Sequence, residues 1–303
     1  MADRILMGSA SVARLVESQV DGLSVALFPQ TPSEAWDDAA GEFAPTFWNA
    51  DGWRIALQTW VIEIDGLTVL VDTGVGNDRD RPAMPPFDHL NTDFLGALQR
   101  VGVDPAAVDV VVNTHIHSDH VGWNTMRQDI AWVPTFPNAR YLMPEPDYRY
   151  FHPENADQRP PPPTEADAAR RAGALVVFED SILPVEAQIE LWADDYQISE
   201  SLRLRPAQGH TPGSSVLWLD AGKPAVFVGD LTHCPVQLRR PMDPCAFDED
   251  FAAAAVTRKR VLTEASRQRA AVIPAHYPGH GGTTVVARGD AFMVDDWLEL
   301  PLL

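Results

Sequence analysis

Asn113-Thr114-His115-Ile116-His117-Ser118-Asp119-His120 is the stretch that decides the fold, because it places three imidazoles and one carboxylate within six residues after an apolar run. Neutral nitrogen and anionic oxygen ligands, without thiolate, suit borderline divalent cations. Alternate residues of an extended segment face the same side, so His115 and His117 can chelate one ion. If the chain bends after them, Asp119 and His120 turn toward a neighbouring ion. The stretch predicts a metal centre rather than a chance cluster of core histidines.

Three further candidate ligands stand downstream, each on a loop beside a segment with the pattern of a buried strand. His210 lies in a turn rich in glycine and proline, Asp230 closes the apolar run 225–230, and His276 follows the apolar run 271–275. A rigid sheet can aim side chains that stand on its connecting loops. A lone histidine at any of these places is more often structural. Together, however, the three loops supply the ligand types that the first stretch lacks.

Strand and helix patterns alternate along the chain without an internal repeat. Residues 55–64 and 67–72 predict two strands joined by a tight turn at Asp65-Gly66, and a helix that packs behind the histidine stretch is expected to begin at residues 121–124. Further strands are predicted at 108–112, 139–143, 201–205, 214–220 and 224–229, and helices at 92–101 and 248–270. The last helix is amphipathic, and its predicted inward side chains are Phe251, Ala255, Val261, Leu262 and Ala265.

Two segments are interpreted as additions to a single domain over residues 1–303. The N-terminal part, about 1–54, is rich in aromatic residues and predicts an edge strand followed by a meandering loop. The segment of about 144–172 carries four prolines at 160–163, which exclude a helix interior or a central strand there. Thr164 and Asp167 then predict the capped start of a helix through Arg171.

The segment 144–172 allows two interpretations. It is either a solvated connector or a lid or dimer arm over the metal site. The second interpretation rests on three aromatic side chains that are costly to leave exposed: Tyr148, Tyr150 and Phe151.

The composition limits the class of partner. Lys and Arg number 23 against 43 Asp and Glu, a formal charge of −20, which would repel nucleic acid phosphates. Two cysteines, Cys234 and Cys245, are too few for a secreted disulfide framework and are expected as buried thiols. The N-terminus lacks the pattern of a signal peptide, and no apolar run reaches the ~20 residues of a membrane span. We expect a cytoplasmic protein that binds neither nucleic acid nor membrane.

With these residues the chain resembles the metallo-β-lactamase-fold hydrolases from about residue 60 to about residue 281. The family pattern His-x-His-x-Asp-His matches the opening stretch, and its Asp-Thr-Gly turn matches Asp72-Thr73-Gly74. The resemblance implies an α/β fold, the four-layer αββα sandwich. It also implies two divalent ions bridged by Asp230, with these further ligands: His115, His117 and His210 for one ion, and Asp119, His120 and His276 for the other.

The resemblance further implies the chemistry. A hydroxide shared by the two ions would attack a carbonyl or phosphoryl group, while the ions take up the charge that develops. Asp119 is expected to orient the hydroxide and move its proton, and Asp72 to hold a ligand histidine by a hydrogen bond. His233 either faces the cavity and donates to the substrate, or is tied to the backbone in a turn. Zinc is the expected metal, and manganese, iron and cobalt also suit the nitrogen and oxygen donors.

Substrate is argued by exclusion within this superfamily. Class B β-lactamases lack a bridging aspartate, glyoxalase II-like thioesterases end the motif differently from Gly122-Trp123, and diiron oxygen reductases have glutamate where His117 stands. The residues flanking both histidine motifs look most like the lactonase and organophosphate-hydrolase branch. In the acyl-homoserine-lactone lactonases a tyrosine commonly takes the place of His233, which weighs against that substrate but not against lactones in general.

The sequence therefore predicts a dinuclear metal-dependent hydrolase, a lactonase acting on a small uncharged ester or lactone. Nine tryptophans and twelve phenylalanines could line an apolar pocket for such a substrate. Aryl ester or phosphotriester hydrolysis is the alternative activity. A metal-bound protein whose pocket is blocked by residues 144–172, and which serves binding, is the alternative from a different class. Family analogy suggests a homodimer.

Overall fold

The computed structural model of the protein describes residues 4–159, 161–162 and 164–300. Pro160 and Pro163 of the predicted proline run lie outside the described residues, as do residues 1–3 and 301–303. Within the described residues the helices are Ser33–Phe43 (α1), Phe94–Arg100 (α2), Glu145–Phe151 (α3), Glu165–Val177 (α4), Val236–Arg239 (α5) and Phe251–Gln268 (α6). None of them is long and apolar enough to cross a membrane.

The strands up to residue 192 build one sheet and a small hairpin. They are Arg4–Met7 (β1), Ala10–Leu23 (β2), Trp48–Asn49 (β3), Gly52–Ile64 (β4), Leu67–Val71 (β5), Val110–Val112 (β6), Thr125–Gln128 (β7), Ala131–Pro134 (β8), Arg140–Pro144 (β9) and Ile189–Trp192 (β10). The sheet order is β1-β2-β4-β5-β6-β9-β10, with β3 beside β4. Pairing is antiparallel from β1 to β5 and parallel from β5 to β10, whereas β7 and β8 pair with each other.

The remaining strands form the second sheet in sequence order. They are Tyr196–Gln197 (β11), Leu202–Pro206 (β12), Ser215–Leu219 (β13), Ala225–Gly229 (β14), Ala271–Pro274 (β15), Thr283–Arg288 (β16) and Ala291–Trp297 (β17). Neighbours are antiparallel except for the parallel pair β14 and β15. The predicted strands and the helix at 92–101 are confirmed, with ends shifted by a few residues.

Apolar side chains on both faces of each sheet produce four layers. Between the sheets, Trp60, Val71 and Val112 of the first face Phe227 and Ile273 of the second. The outer face of the first sheet packs on α2, α3 and α4, and the outer face of the second packs on α6. Strands buried on both faces lose the polar alternation of half-exposed ones, as the three consecutive valines of β6 show. The predicted αββα sandwich is confirmed.

The N-terminal part of the chain contributes to the first sheet and to a helix. Strand β2 pairs with β4 over most of its length. Helix α1 lies where the sequence pattern predicts only a meandering loop, so the prediction of a loop over these residues is wrong. Its buried residues Trp36, Ala39 and Phe43 are three and four apart, the spacing of one helical face. Whether residues 1–303 form one folding unit stays a prediction.

The helix predicted after the histidine stretch does not form. Residues Gly122–Asn124 make one 3₁₀ turn and then enter β7. The Gly122 and Trp123 N–H groups donate to the carbonyls of Gly74 and Thr73, and the Asn124 side chain donates to Asn113 Oδ1. The backbone N–H groups of Gly122 and Trp123 therefore bind the Asp-Thr-Gly loop, and the turn does not continue as a helix.

Two helix predictions need smaller corrections. Helix α4 is capped as predicted, since the Thr164 side chain accepts from the Asp167 N–H, but it continues to Val177. Helix α6 buries four of the five predicted residues, whereas Phe251 at its first position is 43% exposed. Phe251 directly follows the N-cap Asp250, where the chain has not yet turned against the sheet.

Candidate metal centre

The candidate ligands meet because the strands that carry them end at the same edge of the sandwich. Asp72 follows β5, and the histidine stretch follows its parallel neighbour β6. Asp230 follows β14, and His276 comes shortly after the parallel strand β15. His210 stands in the loop between β12 and β13. Loops at the carboxyl ends of parallel strands converge, so the two sheets deliver these side chains to one place.

Four donors form one compact group, called here the four-donor group: His115, His117, His210 and Asp230. His117 Nδ1 lies 3.1 Å from both His115 Nε2 and His210 Nε2. Asp230 Oδ2 lies 3.2 Å from His210 Nε2 and 3.8 Å from His115 Nε2. All four side chains therefore present one atom each to a common point.

A second set lies beside it, called here the three-donor group: Asp119, His120 and His276. Asp119 Oδ2 is 3.5 Å from His276 Nε2 and 3.8 Å from His120 Nε2. The other oxygen of Asp230, Oδ1, lies 3.0 Å from His276 Nε2 and 3.2 Å from His120 Nε2. One carboxylate thus faces both groups, one oxygen to each.

These separations fit divalent ions bound by nitrogen and oxygen. Tetrahedral zinc with bonds of about 2.0–2.2 Å requires donor atoms roughly 3.3–3.6 Å apart, close to the observed range of 3.0–3.8 Å. In addition, His120 Nε2 and Asp230 Oδ1 are buried without a hydrogen-bond partner. Buried polar atoms are rarely left unsatisfied, and a cation would satisfy both.

The second ring nitrogen of each buried histidine among the candidate ligands is held by another group. Such outer contacts fix the ring and leave the opposite nitrogen free to bind. The pairs are His115 Nδ1 with Thr114 Oγ1 at 3.1 Å, His120 Nδ1 with Asp72 Oδ2 at 2.9 Å, His210 Nδ1 with Asp248 Oδ1 at 2.9 Å, and His276 Nδ1 with the Ala56 carbonyl at 3.0 Å. The hydrogen bond predicted for Asp72 is thus present, and its partner is His120.

Burial and the neighbouring charges set the protonation of the four-donor group. Burial and nearby imidazoles lower the pKa of His115 and His117 well below the usual value, so both rings are neutral. Burial also opposes charge on His210, but hydrogen bonds to Asp230 and Asp248 raise the pKa of His210 to about 9. A cation binding there would have to displace the His210 proton.

The shared carboxylate is anionic. Burial opposes its charge, yet His276 and His120 hold the pKa of Asp230 well below its usual range. An ionised carboxylate between two sets of imidazoles is the arrangement that a pair of divalent cations needs.

His233 faces the centre rather than solvent. Its Nε2 lies 3.2 Å from Asp230 Oδ2, and its ring stacks on His276 with centroids 5.8 Å apart. Its backbone N–H donates to Gln237 Oε1 at 2.7 Å. Burial opposes its charge, but Cys245 and Asp230 raise the pKa of His233 well above the usual value. The ring therefore points at the candidate ligands and the turn is held through the backbone N–H, while donation to a substrate stays a prediction.

Several residues that support the site are missed by sequence reasoning. Asp248 reads as the start of a helix, but it lies in the preceding loop and binds His210, the Cys245 N–H and Arg258 Nη2. Asp147 reads as part of a surface insertion but is fully buried. Cys234 and Cys245 are unpaired and buried. An aspartate near a predicted helix end looks like a cap, so nothing in the local pattern marks these roles.

The described residues of the segment 144–172 include side chains that pack against the domain. Phe151 is buried, with its ring 5.8 Å from that of His117. Tyr148 and Tyr150 pack against the same outer core of the first sheet. The Tyr150 hydroxyl donates to Glu249 at 2.8 Å and so ties α3 to the loop before α6. Helix α3 forms a fixed wall of the site.

Comparison with known proteins agrees with this geometry. The family model of the metallo-beta-lactamase superfamily matches residues 57–276. The chain belongs to the metallo-beta-lactamase superfamily, and this membership supports a hydrolase that depends on a divalent metal.

Individual relatives are distant in sequence but close in fold. An N-acyl homoserine lactonase of Bacillus sp is 22% identical over 226 residues, covering 68% of this chain and 77% of that protein. The structure is similar to that of AbOPH, a hydrolase in the beta lactamase superfamily, with 21% identity and a TM-score of 0.81 over 100% of this chain and 99% of that one. It is also similar to AidC, described as a dizinc quorum-quenching lactonase, with 19% identity and a TM-score of 0.75 over 99% and 97% of the two chains. At this identity the two structures confirm the fold.

Proposed function

We propose that this protein is a dinuclear metal-dependent hydrolase that opens lactones. The observation that carries the proposal is the shared carboxylate, Asp230, which turns one oxygen to each of two adjacent donor groups. The four-donor group would hold one ion and the three-donor group the other. When bound, such a pair of ions, zinc by first expectation, supplies an activated water and a Lewis acid for the carbonyl oxygen.

The chain's own residues position the reactants and move protons. Asp119 turns Oδ2 toward His276 and His120, and we assign the other oxygen, Oδ1, the proton of the attacking water. Its side chain is 13% exposed, so it stands at the mouth of the site rather than beneath it. Asp72 holds the His120 ring in place and needs no contact with the substrate.

His233 is the candidate hydrogen-bond donor to the substrate. Its Nε2 lies 3.2 Å from the shared carboxylate, which places the ring beside both donor groups, where a substrate bound to the ions would stand. Two interactions limit how far the ring can move: its stacking on His276 and the bond from its backbone to Gln237. Placed in this way, the imidazole would supply a polar contact that orients the substrate.

A small uncharged ester or lactone suits the charge of the protein. With a formal net charge of −20, the protein would repel anionic esters before they reached the ions. The matched N-acyl homoserine lactonase and AidC are both lactonases by name, which favours lactones over other esters. The homodimer and the cytoplasmic location stay predictions. Light scattering of the purified protein tests the first, and cell fractionation tests the second.

The experiment measures kcat/KM on a panel of lactones of increasing side-chain length, with aryl esters and a phosphotriester alongside. Each is run on metal-loaded protein, on chelator-stripped protein and on the surface control Asp290→Asn, which keeps the site intact. Activity that is highest on lactones and lost with the metal supports the proposal. Highest activity on the aryl ester or the phosphotriester would instead assign the protein the alternative activity. Two bound ions without turnover on any substrate would favour a binding protein.

A further inference from the structure

Asp147 is a buried carboxylate that belongs to neither donor group, yet it contacts both loops that carry the histidines of the four-donor group. It stands in the first turn of α3 and is fully buried. Oδ2 accepts the Ile116 N–H at 3.0 Å and the Thr211 hydroxyl at 2.8 Å. Oδ1 accepts the Gly213 N–H. One side chain therefore joins three segments that are distant in sequence.

The positions of these donors relative to the ligands are specific. Ile116 lies between His115 and His117, and Thr211 directly follows His210. Two of the donors to the Asp147 carboxylate are thus direct sequence neighbours of the histidines of the four-donor group. Hydrogen bonds to an ionised acceptor are shorter and stronger than neutral ones, so the three contacts restrain both loops.

The loop that carries His210 is shaped to reach Asp147. A Cβ atom at Gly213 would lie 2.6 Å from the backbone nitrogen of Asp147 and 2.8 Å from Oδ1, so only glycine allows this approach. Ser214 completes the turn, since its hydroxyl accepts the Thr211 N–H at 2.9 Å and lies 2.7 Å from Thr211 Oγ1. The turn holds the Thr211 hydroxyl in the position that Asp147 requires.

The three-donor group has different supports. The His120 ring is held by Asp72, and His276 by the Ala56 carbonyl. Within the part of the chain that the structure describes, the Asp147 carboxylate accepts from Ile116, Thr211 and Gly213, which lie next to or near His115, His117 and His210 and are at least three residues from any member of the three-donor group. The hydrogen bonds of Asp147 therefore restrain the residues beside the four-donor histidines more directly than those of the three-donor group.

We propose that Asp147 is a positioning residue that fixes the distance between the His115–His117 pair and His210, and thereby sets the affinity of the four-donor group for its ion. The inference rests on the proposed function for the assignment of two metal sites. It adds a residue of α3 to the machinery and gives the segment 144–172 a part in metal binding. Loss of a group that hydrogen-bonds directly to a metal ligand typically costs 10–100-fold in metal affinity. Asp147 acts on the residues beside the ligands, but through three hydrogen bonds at once. We expect a loss in this range for one ion only.

The test is a metal titration of Asp147→Asn, which has nearly the same shape but no charge. Metal-free wild type and variant are titrated with Zn²⁺ against a chromophoric chelator and with Co²⁺ by visible absorption. Wild type should take up two ions. The variant should bind one ion with unchanged affinity, within about threefold, and the other roughly 10–100-fold more weakly. The cobalt spectrum of the weakened ion should also change.

Asp180→Asn is the matched control. Asp180 is also buried and binds Arg81 through both oxygens at 2.8 Å, but its carboxylate otherwise contacts Arg79 and Ser181, which do not adjoin any candidate ligand. This control should lower the melting temperature of the metal-free protein and leave both affinities unchanged. If Asp147→Asn fails to fold, Thr211→Val removes one of the three donors and should weaken the same ion about threefold or more.

Two outcomes overturn the inference. Asp147→Asn with a lowered melting temperature and unchanged affinities would make the residue merely structural. Equal weakening of both ions would remove its selectivity. Failure of the proposed function looks different, because wild type would then bind fewer than two ions, or bind two and hydrolyse none of the substrates.

Discussion

The four-donor and three-donor groups share Asp230 but are anchored in different parts of the protein. The first depends on side chains near helices, because Asp147 of α3 restrains its loops and Asp248, just before α6, holds His210. The second depends on the first sheet, because Asp72 follows β5 and the Ala56 carbonyl belongs to β4. Two sites of similar composition can therefore respond to mutations in separate regions, and the following four predictions test this difference.

Asp230→Asn should have the largest effect, because it removes the charge that faces both groups. We expect loss of both ions and a fall in kcat/KM of about a thousand-fold or more. Metal content by elemental analysis, together with kcat/KM on the best lactone, checks this expectation. Asp290→Asn removes one exposed carboxylate and should change neither quantity. Loss of a single ion in Asp230→Asn would show that the carboxylate does not serve both groups.

Asp147 should give the metal-free protein a distinctive pH dependence. Burial raises the pKa of Asp147 from 3.8 to about 6 in the folded protein, against the opposing effect of its hydrogen bonds and of His210. A folded-state pKa above the unfolded value means that protonation favours the native state. This stabilisation is complete below pH 3.8 and is lost as the pH rises through 6.

Relative to Asp147→Asn, wild type should therefore lose up to about 3 kcal/mol of unfolding free energy between about pH 4 and 7. Urea unfolding of both proteins in chelator, at steps across this range, measures the difference. Phe251→Ser, which changes no titrating group, should differ from wild type by a constant amount. A constant difference for Asp147→Asn as well would refute the expectation.

Asp248→Asn and Asp72→Asn form a matched pair that separates the two groups. Each removes the charge that orients one histidine, and each should weaken one ion by roughly 10–100-fold. Asp248→Asn should affect the ion held by His210, and Asp72→Asn the ion held by His120. Titration with Co²⁺ should show two different spectral components weakened. If both variants weaken the same component, the two groups are not independently supported.

His233→Gln should have the smallest effect of the four, and it should change turnover rather than metal binding. Glutamine keeps a donor at similar reach but not the imidazole that stacks on His276. We expect kcat to fall about tenfold, about 1.4 kcal/mol of barrier, because the amide donor is neutral and is no longer held by the stacking, with both ions retained. Steady-state kinetics and metal analysis on the same preparation check this. A changed metal content would show that His233 takes part in binding the ions.

The candidate ligands could be predicted from the sequence because each lies in a local pattern with chemical meaning. Histidines in a His-x-His-x-Asp-His run, and an aspartate closing an apolar strand, are unusual enough to be noticed without knowledge of the fold. The αββα layers are implied by the family resemblance that the same residues carry, and the two sets of predicted strands fit them.

The supports could not be predicted, because they act across long separations with ordinary residue types. Asp147 reaches Gly213, and Asp248 reaches His210, through contacts that only the packed structure creates. Helix α1 was missed for a related reason, since its apolar face is hidden among neighbouring aromatic residues that belong to the same cluster. The candidate ligands carry a local pattern, whereas the residues that orient them depend on tertiary contacts.

The division of the seven candidate ligands between the two sheets has a consequence for the lifetime of the protein. The first sheet supplies the histidine stretch, and the second supplies His210, Asp230 and His276. Bound ions would therefore fasten one half of the sandwich to the other. A ligand at a thousand times its Kd stabilises the native state by about 4 kcal/mol. Metal starvation should then shorten the protein's survival against proteases, so that molecules without ions are the first to be degraded.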